Sequence, residues 1–224
     1  MHLELSGIKL PNPSQADRNI PVASKGHCTA YAVLGEGEGY RVQAESHLEL
    51  CNLLILNARL DVERIKEQAK FVWKTNGRTK AHFFDALAFL KCGRRIAYTV
   101  KPERRTLSGK FVEEMRNITR HALEAGFCDQ VVLVTEKDIN RVDQRNAMMF
   151  NAVRQKDPEA EAVALEVVAG ISGSASLRDL TIKTGMAARG YRALIRLLRS
   201  GHLVASTHQV ISPETLVQLA GDAQ

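Results

Sequence analysis

Two acids and a lysine carry the first chemical signal in this sequence. Asp85 sits inside an apolar run, HFFDALAFL, and Lys101 ends a second run, RIAYTVK, directly before Pro102. The polar stretch 91–95 separates the runs, so two strands joined by a hairpin would bring acid and lysine together at one edge of a sheet. A third candidate, Glu49, lies in ESHLELCNLLILNARL. There Ser46 and Glu49 have the spacing of a capping box, and the leucines that follow give a helical apolar face. Capping alone would account for Glu49 on local grounds. Taken singly, Asp85 reads as a buried hydrogen-bonded acid and Lys101 as a surface lysine. As a set, a helix acid, a strand acid and a lysine suit metal-assisted phosphodiester chemistry. Mg²⁺ prefers carboxylate, carbonyl and water oxygens, and two carboxylates hold one or two ions that polarise a phosphate. A nearby lysine positions the attacking water and offsets developing charge.

A second constellation lies near the C-terminus. In AARGYRALIRLLRS, Arg189, Arg192, Arg196 and Arg199 recur at helical spacing, with Tyr191, Leu194, Leu197 and Leu198 opposite. The spacing predicts an outward arginine stripe able to meet DNA phosphates or base edges. A solvated face, or a protein-docking module, is the bland alternative.

The elements that must position these residues follow from periodicity. Residues 1–39, with Pro11, Pro13 and Pro21, read as an irregular arm. A short strand at 40–44 leads into the Glu49 helix, and 61–73 passes from a turn into a strand. Asn76-Gly77 is a hairpin turn signal. Strands are expected at 80–89 and 95–100, then a helix at 107–125 ended by Gly126. The run QVVLVT at 130–135 reads as a strand covered on both faces. Strand, helix, strand in that order predicts a partly parallel sheet. A helix of mixed polarity is expected at 140–155. KDPEA at 156–160 reads as a domain boundary. Helices at 161–169, 177–184 and 187–200, a linker at 170–176, and a hairpin of 203–206 with 209–212 then suggest a winged helix-turn-helix. The predicted architecture is α/β: an arm (1–39), a mixed sheet flanked by helices (40–156) and a small winged-helix domain (157–224).

Composition bounds the function classes. The 224 residues carry a net charge of +6, compatible with a polyanionic partner. Cys28, Cys51, Cys92 and Cys128 are widely spaced, arguing against a disulfide framework or structural zinc. No basic-then-apolar leader opens the chain, and no apolar run approaches the roughly 20 residues of a membrane span. A soluble cytoplasmic protein is expected.

At the level of motifs, ESHLE at 45–49, Gln68, HFFD at 82–85 and TVKP at 99–102 resemble the amino-terminal domain of TnsA-type transposon endonucleases, members of the PD-(D/E)xK restriction-endonuclease-like superfamily. The resemblance covers about residues 40–135 by motif and the remainder by architecture. It implies a Mg²⁺ site, with Mn²⁺ as substitute, built from Glu49, Asp85 and Lys101. The Val100 main-chain carbonyl would be a further ligand, and Gln68 and Thr99 accessory. It also implies double-stranded DNA as substrate, beside a DDE transposase and an ATP-dependent transposition regulator. Thr99 departs from the pattern: the superfamily usually has Glu or Asp there, and TnsA-type proteins can have Gln. Phe84 and Ala69 stand where proline is common. Thr99 is a weak neutral ligand and leaves the implied site one charge short. Competing expectations are a catalytically weakened nuclease-fold subunit for DNA binding or assembly, a winged-helix transcriptional regulator, and a stand-alone repair or restriction nuclease.

Overall fold

In the computed structural model, which describes residues 10–20, 28–75 and 77–222, a mixed four-stranded sheet is flanked by helices on both faces. Strands β1 (Ala30–Leu34) and β2 (Tyr40–Ala44) form an antiparallel hairpin beside it. This corrects the expectation of an arm through residue 39. TAYAVL, past the last proline of that region, has strand-forming residues, and the glycine-rich connection closes the turn. Gly39 has φ +64, and a Cβ there would stand 2.4 Å from the Leu34 carbonyl oxygen. Only glycine fits that approach. Pro21 and the six residues after it lie outside the described residues.

Helix α1 (His47–Ala58) starts at Ser46, whose hydroxyl accepts from the Glu49 N–H at 3.2 Å. Such a cap contributes about 1 kcal/mol. Strand β3 (Val62–Thr75) and β4 (Arg78–Leu90) form a long antiparallel pair whose two-residue connection includes Gly77 at φ +70. Asn76 itself lies outside the described residues. Strand β5 (Arg95–Val100) pairs antiparallel with β4. A short turn α2 (Glu103–Thr106) and helix α3 (Gly109–Glu124) then cross to β6 (Gln130–Val134), which lies parallel to β5, as the strand–helix–strand order predicts. The sheet order is β3-β4-β5-β6. β6 is therefore an edge strand, and Gln130 and Leu133 are exposed. The apolar run packs on both faces, with Val132 in the α1 layer and Val131 in the α3 layer, but among the described residues no strand lies beyond it in the sheet.

Two apolar layers hold the sheet. One face packs Leu53, Leu54 and Leu56 of α1 on Ile65, Ala86, Ala88 and Tyr98. The other packs Met115, Ile118 and Ala122 of α3 on Phe71, Phe84 and Leu87. Phe71 and Phe84 meet Phe127 at ring distances of 5.1 and 5.7 Å. Each ring buried this way stabilises the fold by about 2–3 kcal/mol.

Helix α4 (Arg141–Ala152) joins the sheet unit to the rest. Ala147 packs in the α1 layer, while Met149 and Phe150 pack in the C-terminal core. Val153 also belongs to that core, which thus begins before the 156–160 boundary. Helices α5 (Pro158–Ala169), α6 (Leu177–Thr184) and α7 (Ala187–Arg199) surround Leu177, Leu180, Leu194 and Ile195. Gly190 permits the α6–α7 contact: a Cβ there would stand 2.0 Å from the Thr184 hydroxyl.

A three-stranded sheet closes this unit, ordered β7 (Ala175–Ser176), β9 (Leu216–Leu219), β8 (Leu203–Ala205). The expected 203–206/209–212 hairpin is half right. β8 forms, but its partner is Leu216–Leu219. Residues 209–211 are instead captured by Asn146 of α4, which donates to the Gln209 carbonyl and accepts from the Ile211 N–H, both at 2.9 Å. Residues 175–176, expected as linker, pair with β9. Among the described residues no helix is long and apolar enough to cross a membrane.

Candidate active site

The site forms where the sheet is locally broken. In an unbroken strand, side chains two or four apart share a face. Yet Ile65 packs in the α1 layer, while Ala69 and Phe71 pack in the α3 layer. On β4, Ala86 and Ala88 face α1, but Phe84 faces α3. Both strands thus exchange faces at Gln68 and Asp85, the one rung absent between Glu67↔Ala86 and Ala69↔Phe84. Gln68 has φ +48, a conformation that non-glycine residues adopt at a cost of order 1 kcal/mol. The β4–β5 ladder stops at Ala86↔Tyr98, so Asp85 and Thr99 lie at the first positions past the pairing.

Asp85 is buried, and its Oδ2 fills this opening. It accepts from the Val100 N–H at 2.7 Å and from Lys101 Nζ at 3.2 Å. Its Oδ1 accepts none of the described hydrogen bonds. Glu49, also buried, accepts from the Glu45 N–H at 2.8 Å and the Ser46 hydroxyl at 3.1 Å. The capping box is therefore shifted by one residue at the backbone, with Glu49 reaching the Glu45 N–H in place of the Ser46 N–H. Gln68 Nε2 donates to the same carboxylate at 3.5 Å. Burial pushes Glu49 up to about 7, and the charge of Asp85 adds to this, while Lys101 opposes it. The three residues singled out in the sequence, Glu49, Asp85 and Lys101, are thus one electrostatic unit with Gln68 between them.

Thr99 is 1% exposed, and its hydroxyl has no hydrogen-bond partner among the described residues. No charge stands at this position, two residues before Lys101.

The donor set fits a hard cation. Glu49, Asp85 and the Val100 carbonyl offer only oxygen, and Glu49 is raised first by burial and then by the charge of Asp85, a cost that a cation would relieve. Among the described residues no three His, Cys, Asp or Glu side chains form a metal-binding group. Two carboxylates, with water and phosphate completing the shell, is how Mg²⁺ is commonly held.

No family model and no curated protein matches the chain.

Three neighbours of the site were not legible in the sequence. Arg18 reaches over from the N-terminal arm. Its Nε donates to Gln68 Oε1 at 2.7 Å, its guanidinium pairs with Glu45 at 3.0 Å, and it lies 4.7 Å from the Phe83 ring centre. The bond to Oε1 orients the Gln68 amide so that its NH₂ faces Glu49. Glu67 is fully buried and accepts from the Ser14 hydroxyl. His82 is mostly buried, and its Nε2 has no partner among the described residues.

Burial, reinforced by Lys101 and Arg18 and opposed by Glu114, depresses His82 to about 4. Because the folded value lies below the ordinary 6.5, the unfolded chain takes up the proton first as pH falls. The stability contribution is complete above about pH 6.5 and is lost toward pH 4. Denaturant titrations at pH 8 and pH 5 should show a loss from this residue of about 2 kcal/mol, and His82→Gln should lack that component. An unchanged pH profile in the variant would refute the assignment.

The four arginines of α7 are not equally free: Arg189 and Arg192 are exposed, whereas Arg196 and Arg199 are not. Arg189 pairs with Asp157 at 2.8 Å and Glu159 at 2.6 Å. Arg196 is largely buried against Glu161 at 2.5 Å. Arg192 and Arg199 donate to the carbonyls of Ala152 and Phe150. Spacing assigns a helix face, and contacts with α4 and the start of α5 occupy part of this one while Arg189 and Arg192 stay open to solvent.

Proposed function

We propose that the chain is a Mg²⁺-dependent DNA endonuclease of the TnsA type, hydrolysing a phosphodiester at a transposon end. One observation carries this reading: Glu49, Gln68, Asp85 and Lys101 converge where both long strands exchange faces. Strain and paired buried carboxylates concentrated in one place are characteristic of a functional site. In this reading the sheet unit is a restriction-endonuclease-like domain, and the three C-terminal helices with their small sheet are a winged-helix domain. Double-stranded DNA is the substrate. A DDE transposase and an ATP-dependent regulator are the partners that the TnsA likeness suggests, in the cytoplasm.

A bound Mg²⁺, or Mn²⁺ in its place, would supply Lewis acidity toward the phosphate. Glu49, Asp85 and the Val100 carbonyl would hold it. Lys101, one-third exposed and tied to Asp85, is placed to orient the attacking water and offset charge at the phosphate. Gln68 and Arg18 keep the Glu49 carboxylate in position.

The buried, unpartnered and neutral Thr99 favours a second reading, a nuclease-fold subunit with weakened chemistry that serves DNA binding or assembly. The test is nicking of supercoiled DNA in Mg²⁺ or Mn²⁺ by the wild type and by Lys101→Ala. Metal-dependent nicking lost in the variant supports the enzyme. Equal nicking by both, or none by the wild type, refutes it.

A further inference from the structure

Several exposed cations that make no ion pair among the described residues gather near Lys101, whereas Arg189 and Arg196 of α7 are paired with acids. Between Gln68 and Asp85 the chain has four cations, Lys70, Lys74, Arg78 and Lys80, and no acid. In register, Lys80 stands opposite Trp73 and Arg78 opposite Thr75. Cross-strand partners share a face, and Trp73 packs in the α3 layer, so Arg78 and Lys80 belong to the α3 face of the hairpin. Across from them the chain leaving Lys101 presents Arg104, Arg105 and Lys110. All five are exposed, and none makes an ion pair among the described residues.

Two depressions that meet at Glu114 take in three of these five, Lys80, Arg105 and Lys110. Lys101, Arg105, Lys110 and Phe111 line the first, of about 250 Å³. Trp73, Lys80 and His82 line the second, of about 290 Å³. Glu114 borders both and is the only acid in either. A basic channel therefore runs from Lys101 to the β3–β4 hairpin.

We propose that this channel, between the β3–β4 hairpin and the start of α3, holds the phosphate backbone of duplex DNA next to the cut. The proposal rests on the nuclease reading for its choice of polyanion, and it moves the main DNA grip from α7 to the sheet unit. Unpaired surface cations are what phosphate binding requires, because each contact releases condensed counterions. On α7, Arg189 and Arg196 are already neutralised by Asp157, Glu159 and Glu161, which weakens their pull on a phosphate.

The test is duplex binding by the full chain, followed by fluorescence anisotropy in EDTA across a salt series. Lys80→Glu/Lys110→Glu should weaken binding at least about 10-fold and flatten the log–log salt slope by about 2. The neutral Lys80→Gln/Lys110→Gln pair should shift both in the same direction, separating lost contacts from added repulsion. Arg145→Glu/Lys183→Glu, an equal charge change on α4 and α6, should leave both near wild type. Wild-type affinity and slope in the Lys80/Lys110 variants, or no duplex binding by the wild type, overturns the proposal. Nicking by the wild type with binding unaffected in those variants removes the channel and leaves the nuclease. Channel-dependent binding without any nicking does the reverse.

Discussion

Asp85→Asn should abolish divalent-ion binding and metal-dependent nicking while leaving the fold in place. The reason lies in what Asp85 does twice. Its Oδ2 accepts the Val100 N–H at 2.7 Å, which stands in for a backbone bond lost where β4 and β5 part. An asparagine carbonyl accepts that N–H equally well, so the buried donor stays satisfied. The charge does not survive the change, and with it go the Lys101 ion pair and half of the carboxylate pair. Lewis-acid stabilisation worth several kcal/mol, at about 1.4 kcal/mol per tenfold in rate, makes the expected loss at least about 1000-fold. Calorimetric titration with Mn²⁺, nicking assays and thermal melts check the three parts together. Retained ion binding or nicking would remove Asp85 from the site. A collapsed melting temperature would make its role structural.

The same geometry explains what the sequence made legible. Asp85 and Lys101 were readable because a hairpin of two apolar strands allows few registers, and an acid in such a run needs a reason. Glu49 was readable as a cap, and it is one, accepting from Glu45 and Ser46. Its second character, a carboxylate held against Asp85, depends on where α1 docks, which periodicity does not encode. The face exchange at Gln68 and Asp85 was hidden for a related reason. A break shared by two strands leaves their mutual register unchanged, so neither sequence shows an insertion. Arg18 was out of reach altogether, since the arm has no periodic pattern and is fixed by side-chain bonds to Gln68, Gln43 and Lys66. The α7 arginines show a different limit of the sequence. Their spacing was correctly read as a helix face, but charge on a face says nothing about whether Asp157, Glu159 and Glu161 already stand in front of it.

Glu49→Gln should make the metal-free protein more stable at pH 8 while removing its ion binding. Glu49 titrates near 7 in the folded chain, against an ordinary value of 4.5, because it is buried and faces Asp85. Its folded value is raised, so between these limits the folded chain keeps a proton that the unfolded chain has released. Stability therefore falls as pH rises from about 4.5 to 7, and the full cost is present above that. At 1.36 kcal/mol per unit, it amounts to about 3 kcal/mol as an upper bound. Glutamine has no proton to lose and can still accept the Glu45 N–H, so its advantage should reach about 2–3 kcal/mol at pH 8 and disappear below pH 4.5. Added Mn²⁺ should then close the gap from the other side, stabilising the wild type by binding its folded form and leaving Glu49→Gln unmoved. Denaturant titrations of both proteins at pH 5 and pH 8, with and without Mn²⁺, give the whole cycle. Equal stability at pH 8 without metal would mean that neither burial nor the charge of Asp85 penalises the Glu49 carboxylate. The site would then be a helix cap beside a salt bridge, without the destabilised carboxylate pair that a functional metal site retains at the expense of stability.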